Sequence, residues 1–218
     1  LDKAKELYKK LLTEYPNTEA AAYELARILM LQNQPEEAVI WVSKAVTANP
    51  TNVWYAILKA DALQAMGQYK DAAAIYEQLT RQYPTQYNYF YKWAFYLVKA
   101  NELNAALKVY DDLERRSGMN ENLIRLKHGL YVAQGDQKKA TRELLRLAEA
   151  HPNNIDYWHN LAEYYTQTGE KEQARGVYRK ILTLDANDAK ANLALAGGDV
   201  NKQNDAQYLG ALRQTFEK

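Results

Sequence analysis

The sequence predicts an all-α fold, a right-handed superhelical solenoid of antiparallel helix pairs. Three observations carry this expectation. Pro16, Pro50, Pro84 and Pro152 keep step with a 34-residue period, the last gap being two periods long. Five uninterrupted units, opening at Glu19, Val53, Tyr87, Glu121 and Ile155, fit that period without insertion or deletion as far as Asp188. Inside the units, small and bulky residues recur in fixed columns at helical spacing. A constant period of this length marks a repeat architecture in which each unit packs mainly on its neighbours.

The elements follow in chain order. Residues 1–18 read as the second helix of a truncated repeat, because Ala4, Tyr8, Leu11 and Pro16 fall in the columns of a second helix. The apolar stripe of Leu7, Tyr8, Leu11 and Leu12 then lacks a partner on one side. We therefore expect self-association through this end, or further sequence before Leu1, which is not a methionine.

The five units span 19–52, 53–86, 87–120, 121–154 and 155–188. Their eighth residues are Ala26, Ala60, Ala94, His128 and Ala162, and their twentieth are Ala38, Ala72, Ala106, Ala140 and Ala174. Small side chains recur where two helices approach closely, since protein interiors leave no room for longer ones. The fifteenth residues, Asn33, Gly67, Asn101, Gly135 and Gly169, are the types that tolerate the left-handed backbone ending a helix. The twenty-fourth (Val42, Tyr76, Tyr110, Leu144, Tyr178) and twenty-seventh (Ala45, Leu79, Leu113, Leu147, Ile181) supply a buried stripe to the second helix. The proline then resists further helix.

Each unit therefore reads as helix, tight turn, helix, turn. Residues 189–218 read as a partial sixth repeat or a capping helix. Ala196 is in phase there, Gly197 and Gly198 interrupt, and Tyr208, Leu209, Leu212 and Phe216 restore helical spacing.

These five in-phase units resemble the tetratricopeptide repeat family over most of the chain. The departures are Gly118 and Ala186 in place of the closing proline, Lys59 and Lys127 at the usually apolar seventh position, and His128 in the alanine column. The resemblance implies that the first helices line a groove that receives other proteins. One subset of the family grips acidic C-terminal tails through lysine at the fifth position and asparagine at the ninth. This chain pairs Tyr23 with Arg27, Ile57 with Asp61 and Tyr91 with Phe95 instead, so that clamp is not expected.

Composition narrows the chemistry. Of 218 residues 25% are charged, yet the net charge is only +1, so no overall field favours nucleic acid or an acidic membrane. No apolar run approaches the roughly 20 residues a spanning helix needs. The absence of cysteine excludes disulfides, thiol catalysis and thiolate metal sites; it says nothing of compartment. The glycines follow the repeat turns and form no phosphate cradle. Among the three histidines, His151 sits before Pro152 in a turn and His128 in a packing column. His159, with Asp156 and Glu163 on one helical face, reads as a hydrogen-bonded surface cluster. We expect no enzyme, no cofactor and no metal.

Function is expected on the groove wall, built from the second, fifth, ninth and twelfth positions of each unit. The candidate partner-binding residues are Tyr23, Arg27, Trp54, Asp61, Tyr87, Asn88, Tyr91, Phe95, Asn122, Arg125 and His159. This wall is aromatic and apolar in the first three units and polar and acidic in the fifth. The densest stretch, Tyr87–Tyr96, carries aromatics on every side of its helix. Phe90 and Trp93 should face inward, and Tyr87, Tyr91 and Phe95 should project into the groove. The expected function is a non-catalytic scaffold that binds a peptide or helix of another protein. The alternative is a recruitment or assembly module excised from a larger enzyme or cell-envelope protein.

Overall fold

A computed structural model describes residues 1–197. The expected final helix around Tyr208–Phe216 lies outside the described residues. Within them the chain forms twelve helices and no strand. It divides into two compact units, Leu1–Gly118 and Met119–Lys218, here the N-terminal and C-terminal units.

The N-terminal unit contains α1 (Asp2–Glu14), α2 (Glu19–Leu31), α3 (Pro35–Ala48), α4 (Val53–Ala65), α5 (Tyr69–Gln82), α6 (Tyr87–Lys99) and α7 (Leu103–Ser117). Each helix packs on the next in sequence through a short turn, so consecutive helices run antiparallel. The starts of α2, α4 and α6 fall on the first residue of each 34-residue unit. Pro35 occupies the first turn of α3, where its missing N–H costs nothing. The Asn52 side chain accepts from the Trp54 N–H and caps α4. Asn33 and Asn101 end their helices at φ 55° and 61°, beside Gly67 at 72°, so the turn column adopts the left-handed backbone.

Two clusters form the core of this unit. Leu12, Leu25, Leu29, Val42 and Tyr55 pack around Ala22, Ala26 and Ala38. Ala60, Ala72, Tyr76, Leu79 and Tyr96 form the other, with Ile57, Trp93 and Leu97 at its edge. The alanine columns are fully buried, as close helix approach requires.

At the start of the chain, the expected stripe is covered on one side. Leu12 is buried and Tyr8 packs beside it, because α1 lies on α2. Only Leu7, 60% exposed, and Leu11 keep an open face.

The C-terminal unit contains α8 (Glu121–Ala133), α9 (Gln137–Ala150), α10 (Ile155–Gln167), α11 (Lys171–Leu184) and α12 (Ala189–Leu195). Asn120, Asp136, Asn154 and Asp188 each cap a helix by accepting a backbone N–H. Trp158 donates its indole N–H to the Pro152 carbonyl at 2.9 Å and so ties α10 to the turn before it. Leu144, Trp158, Leu161, Tyr178 and Ile181 pack around Ala162, Ala174 and Ala191.

Here the seventh-position lysine has a specific explanation. Lys127 is 4% exposed, and its ammonium lies 3.4 Å from the carboxylate of Glu143, which is also buried. Arg146 holds the other oxygen of Glu143 at 2.8 Å. A buried lysine is tolerable only with such a counter-charge. His128 keeps its place in the alanine column half-buried. Its Nδ1 reaches the Ala140 carbonyl at 3.0 Å, and its ring meets Tyr164 edge-on.

Candidate protein-binding surface

In the N-terminal unit, the first helices α2, α4 and α6 carry eight of the candidate residues. Tyr23 is half-buried because its ring lies 4.9 Å from Tyr55. Arg27 is exposed beside it, 5.9 Å above the Tyr23 ring, and binds both oxygens of Glu24 at 3.0 Å. On α4, Trp54 is 68% exposed. It sits one position past Val53, whose side chain turns toward the core.

Asp61, two turns further along α4, is open to solvent on one side. The protein mass on its other side raises its carboxyl above the usual range, and the charge of Lys92 on α6 opposes that rise. A hydrogen bond joins these two helices: the buried Tyr96 hydroxyl donates to Gln64 Oε1 at 2.7 Å. Burial, aided by the charge of Asp61, pushes the Tyr96 phenol up to about 12.

The aromatic stretch of α6 is divided by helical geometry. Phe90 and Tyr96 are fully buried and Trp93 packs at the core edge. Tyr87 and Asn88 are exposed, and Phe95 is 41% exposed. Tyr91 is half-buried, its ring 6.3 Å from Tyr110 on α7. The Tyr87 hydroxyl donates to the Arg116 carbonyl at 3.3 Å, which fixes that ring at the end of α7. Phe95 leans edge-on against Tyr96, 5.3 Å away, and the Lys99 ammonium stands 5.7 Å from the Phe95 ring. This Phe95–Lys99 pair was readable from its i,i+4 spacing and was missed.

The C-terminal unit carries Asn122, Arg125 and His159, and its polar groups bind their own chain. Asn122 is exposed. Arg125 holds Glu121 at 2.7 Å, and Tyr157 donates to the other oxygen of Glu121 at 2.7 Å. These two bonds keep the Glu121 carboxyl below the usual range, that of Tyr157 contributing most.

The expected cluster of His159 with Asp156 and Glu163 is not formed. His159 Nε2 lies 2.8 Å from Asp188 Oδ2, both side chains largely buried, and Glu163 pairs with Lys190. The partners come from the first helix of the next repeat, α12, and its cap. Repeat stacking brings those groups nearer than neighbours on the same helix. Among the described residues, no group of three or more His, Asp or Glu is placed to hold a metal. No described helix is long and apolar enough to cross a membrane.

Comparisons with known proteins now bear on this surface. Residues 1–79 match the family model described as Anaphase-promoting complex, cyclosome, subunit 3. Residues 57–121 and 143–176 match two models described as Tetratricopeptide repeat. No curated protein matches the chain.

Among solved structures, it is similar to the C-terminal part of a TPR repeat-containing protein from Cytophaga hutchinsonii. The two are 16% identical, covering 99% of this chain and 89% of that one, with a TM-score of 0.60. It is similar to a tetratricopeptide repeat protein from Parabacteroides merdae at 16% identity, covering 97% and 91%, with a TM-score of 0.53. It is also similar to YrrB, described as a TPR protein with an unusual peptide-binding site. There the identity is 18%, the coverage 88% and 98%, and the TM-score 0.50. At these identities the likeness is one of fold. Proteins built from these repeats typically mediate protein–protein interaction and are generally non-catalytic scaffolds. The helix pairs, their alanine columns and the matched repeat models agree: the chain is a tetratricopeptide repeat protein.

Proposed function

We propose that the chain is a non-catalytic scaffold and that the α4/α6 face of its N-terminal unit docks a peptide segment of another protein. The observation that carries this reading is the pair Trp54 and Phe95. Both are large apolar side chains left open on neighbouring first helices, while the aromatics behind them are buried. Covering each one fully would contribute on the order of 1.5–3 kcal/mol. Tryptophan, tyrosine and arginine are also the side chains enriched at binding hot spots. Arg27, Asn88 and Asp61 add polar contacts that would set the register of a bound chain. YrrB shares the fold and is described as having a peptide-binding site, but that likeness supports the architecture alone. The division into five 34-residue units belongs to the same proposal, and the helix starts at Glu19, Val53, Tyr87, Glu121 and Ile155 support it.

The test is partner capture from source lysate by the wild-type chain and by a Trp54→Ala/Phe95→Ala double variant. Capture weakened at least tenfold, with unchanged helicity by circular dichroism, is the expected result. Unchanged capture by the double variant, with loss on changing Lys108 of α7 or Arg142 of α9, would move the site to the second helices.

A further inference from the structure

The charge pattern of α6 says what kind of peptide this surface fits, given the docking role proposed above. Between Tyr87 and Lys99 the helix has no Asp or Glu and two lysines, Lys92 and Lys99, both exposed. Among the described residues neither has a carboxylate within 4.0 Å, although Asp61 on α4 feels the charge of Lys92 from further away. Lys99 differs in its neighbour: its ammonium stands over the open Phe95 ring. An apolar platform and an unanswered cation are therefore set side by side, one helical turn apart.

That spacing has a geometric counterpart. Four residues of α-helix rise about 6 Å. In an extended chain, side chains two residues apart lie on the same side and are separated by about 6.7 Å. An extended segment running along α6 thus presents alternate side chains in step with the turns of the helix. The open Asn88 side chain, two turns before Phe95, can donate and accept for the backbone of such a segment. We infer that the α6 face selects an extended peptide carrying a large apolar residue and, two residues from it, a carboxylate: the apolar side chain covers Phe95 and the carboxylate meets Lys99. The contact with Phe95 supplies burial. The contact with Lys99 supplies selectivity against basic sequences and is weakened by salt.

The experiment measures fluorescence anisotropy of short labelled peptides against the whole chain. The first probe alternates phenylalanine and glutamate with serine between them, and two others replace glutamate by lysine or by glutamine. The glutamate probe should bind about tenfold tighter than the lysine probe, with glutamine between them, and the gap should narrow as salt rises. Lys99→Glu should reverse the order, and Lys108→Glu on α7 should leave it unchanged. Equal binding of all three probes that still falls in Phe95→Ala would overturn the charge selectivity and leave the docking surface standing. Binding indifferent to Phe95→Ala and Trp54→Ala would remove both. A preference for the lysine probe, or no measurable binding of the glutamate probe, would also overturn the inference.

Discussion

The first helices of the two units share one set of columns and fill them with different chemistry. On α4 and α6 the solvent-facing positions hold Trp54, Tyr87 and Phe95, whose apolar area stays in contact with water. On α8 and α10 the fifth and ninth positions hold Arg125, His159 and Glu163, and each is tied to a partner in its own unit: Glu121, Asp188 and Lys190. A polar side chain can be satisfied within the fold by a neighbour placed through repeat stacking. An aromatic ring at the same position cannot be satisfied unless something covers it. The comparison therefore separates a surface that stabilises its own unit from a surface available to a partner, on the same backbone.

This separation can be broken or sharpened by measurement. The largest effects should come from what the units have in common. Ala72→Leu in the N-terminal unit and Ala162→Leu in the C-terminal unit each force three extra heavy atoms into a filled helix crossing. Each should cost about 1–3 kcal/mol in denaturant melts. A cost confined to one unit would mean that the alanine columns do not play the same role in both.

Next in size is His159→Ala. It removes the partner of a largely buried Asp188 oxygen and should cost about 1–2 kcal/mol. Faster amide exchange in α12 should accompany it, with peptide capture unchanged. The Trp54→Ala/Phe95→Ala variant should show the reverse, with capture lost and stability within about 0.5 kcal/mol for each exposed ring. If His159→Ala weakened capture as much as the aromatic pair, the division between the two surfaces would fall.

The smallest expected effect is a gain. Gly129 lies inside α8 with open space around any added Cβ, so Gly129→Ala should stabilise by about 0.5–1 kcal/mol. The same change at Gly135, held at φ 72°, should destabilise, because alanine resists that backbone.

How much of this was legible follows from how far apart the interacting residues stand. The period, the alanine columns and the left-handed turn column are local or nearly local: they repeat every 34 residues, and each has one steric cause. The burial of Phe90 and the exposure of Tyr87 and Phe95 follow from helical phase alone. Tyr91 shows the limit. Its phase points outward, yet its ring tilts onto Tyr110, which only the packing of α7 brings near. The Asp156–His159–Glu163 cluster failed because spacing on one helix ignores the first helix of the next repeat, α12, whose cap and first turn supply Asp188 and Lys190. Lys127 looked like a defect in the sequence and is a buried ion pair in the structure, since Glu143 arrives from α9.

The sequence by itself determined the all-α repeat architecture, the family and the columns that fill the core. Backbone sterics and close packing act on residue type and on spacing, and both are written along the chain. Only the tertiary structure decided which polar side chains are spoken for, which aromatic rings remain open, and that one lysine stands unanswered beside one of them. Those outcomes depend on side chains meeting across helices, about 30 residues apart in sequence, where distance and burial decide which partner wins.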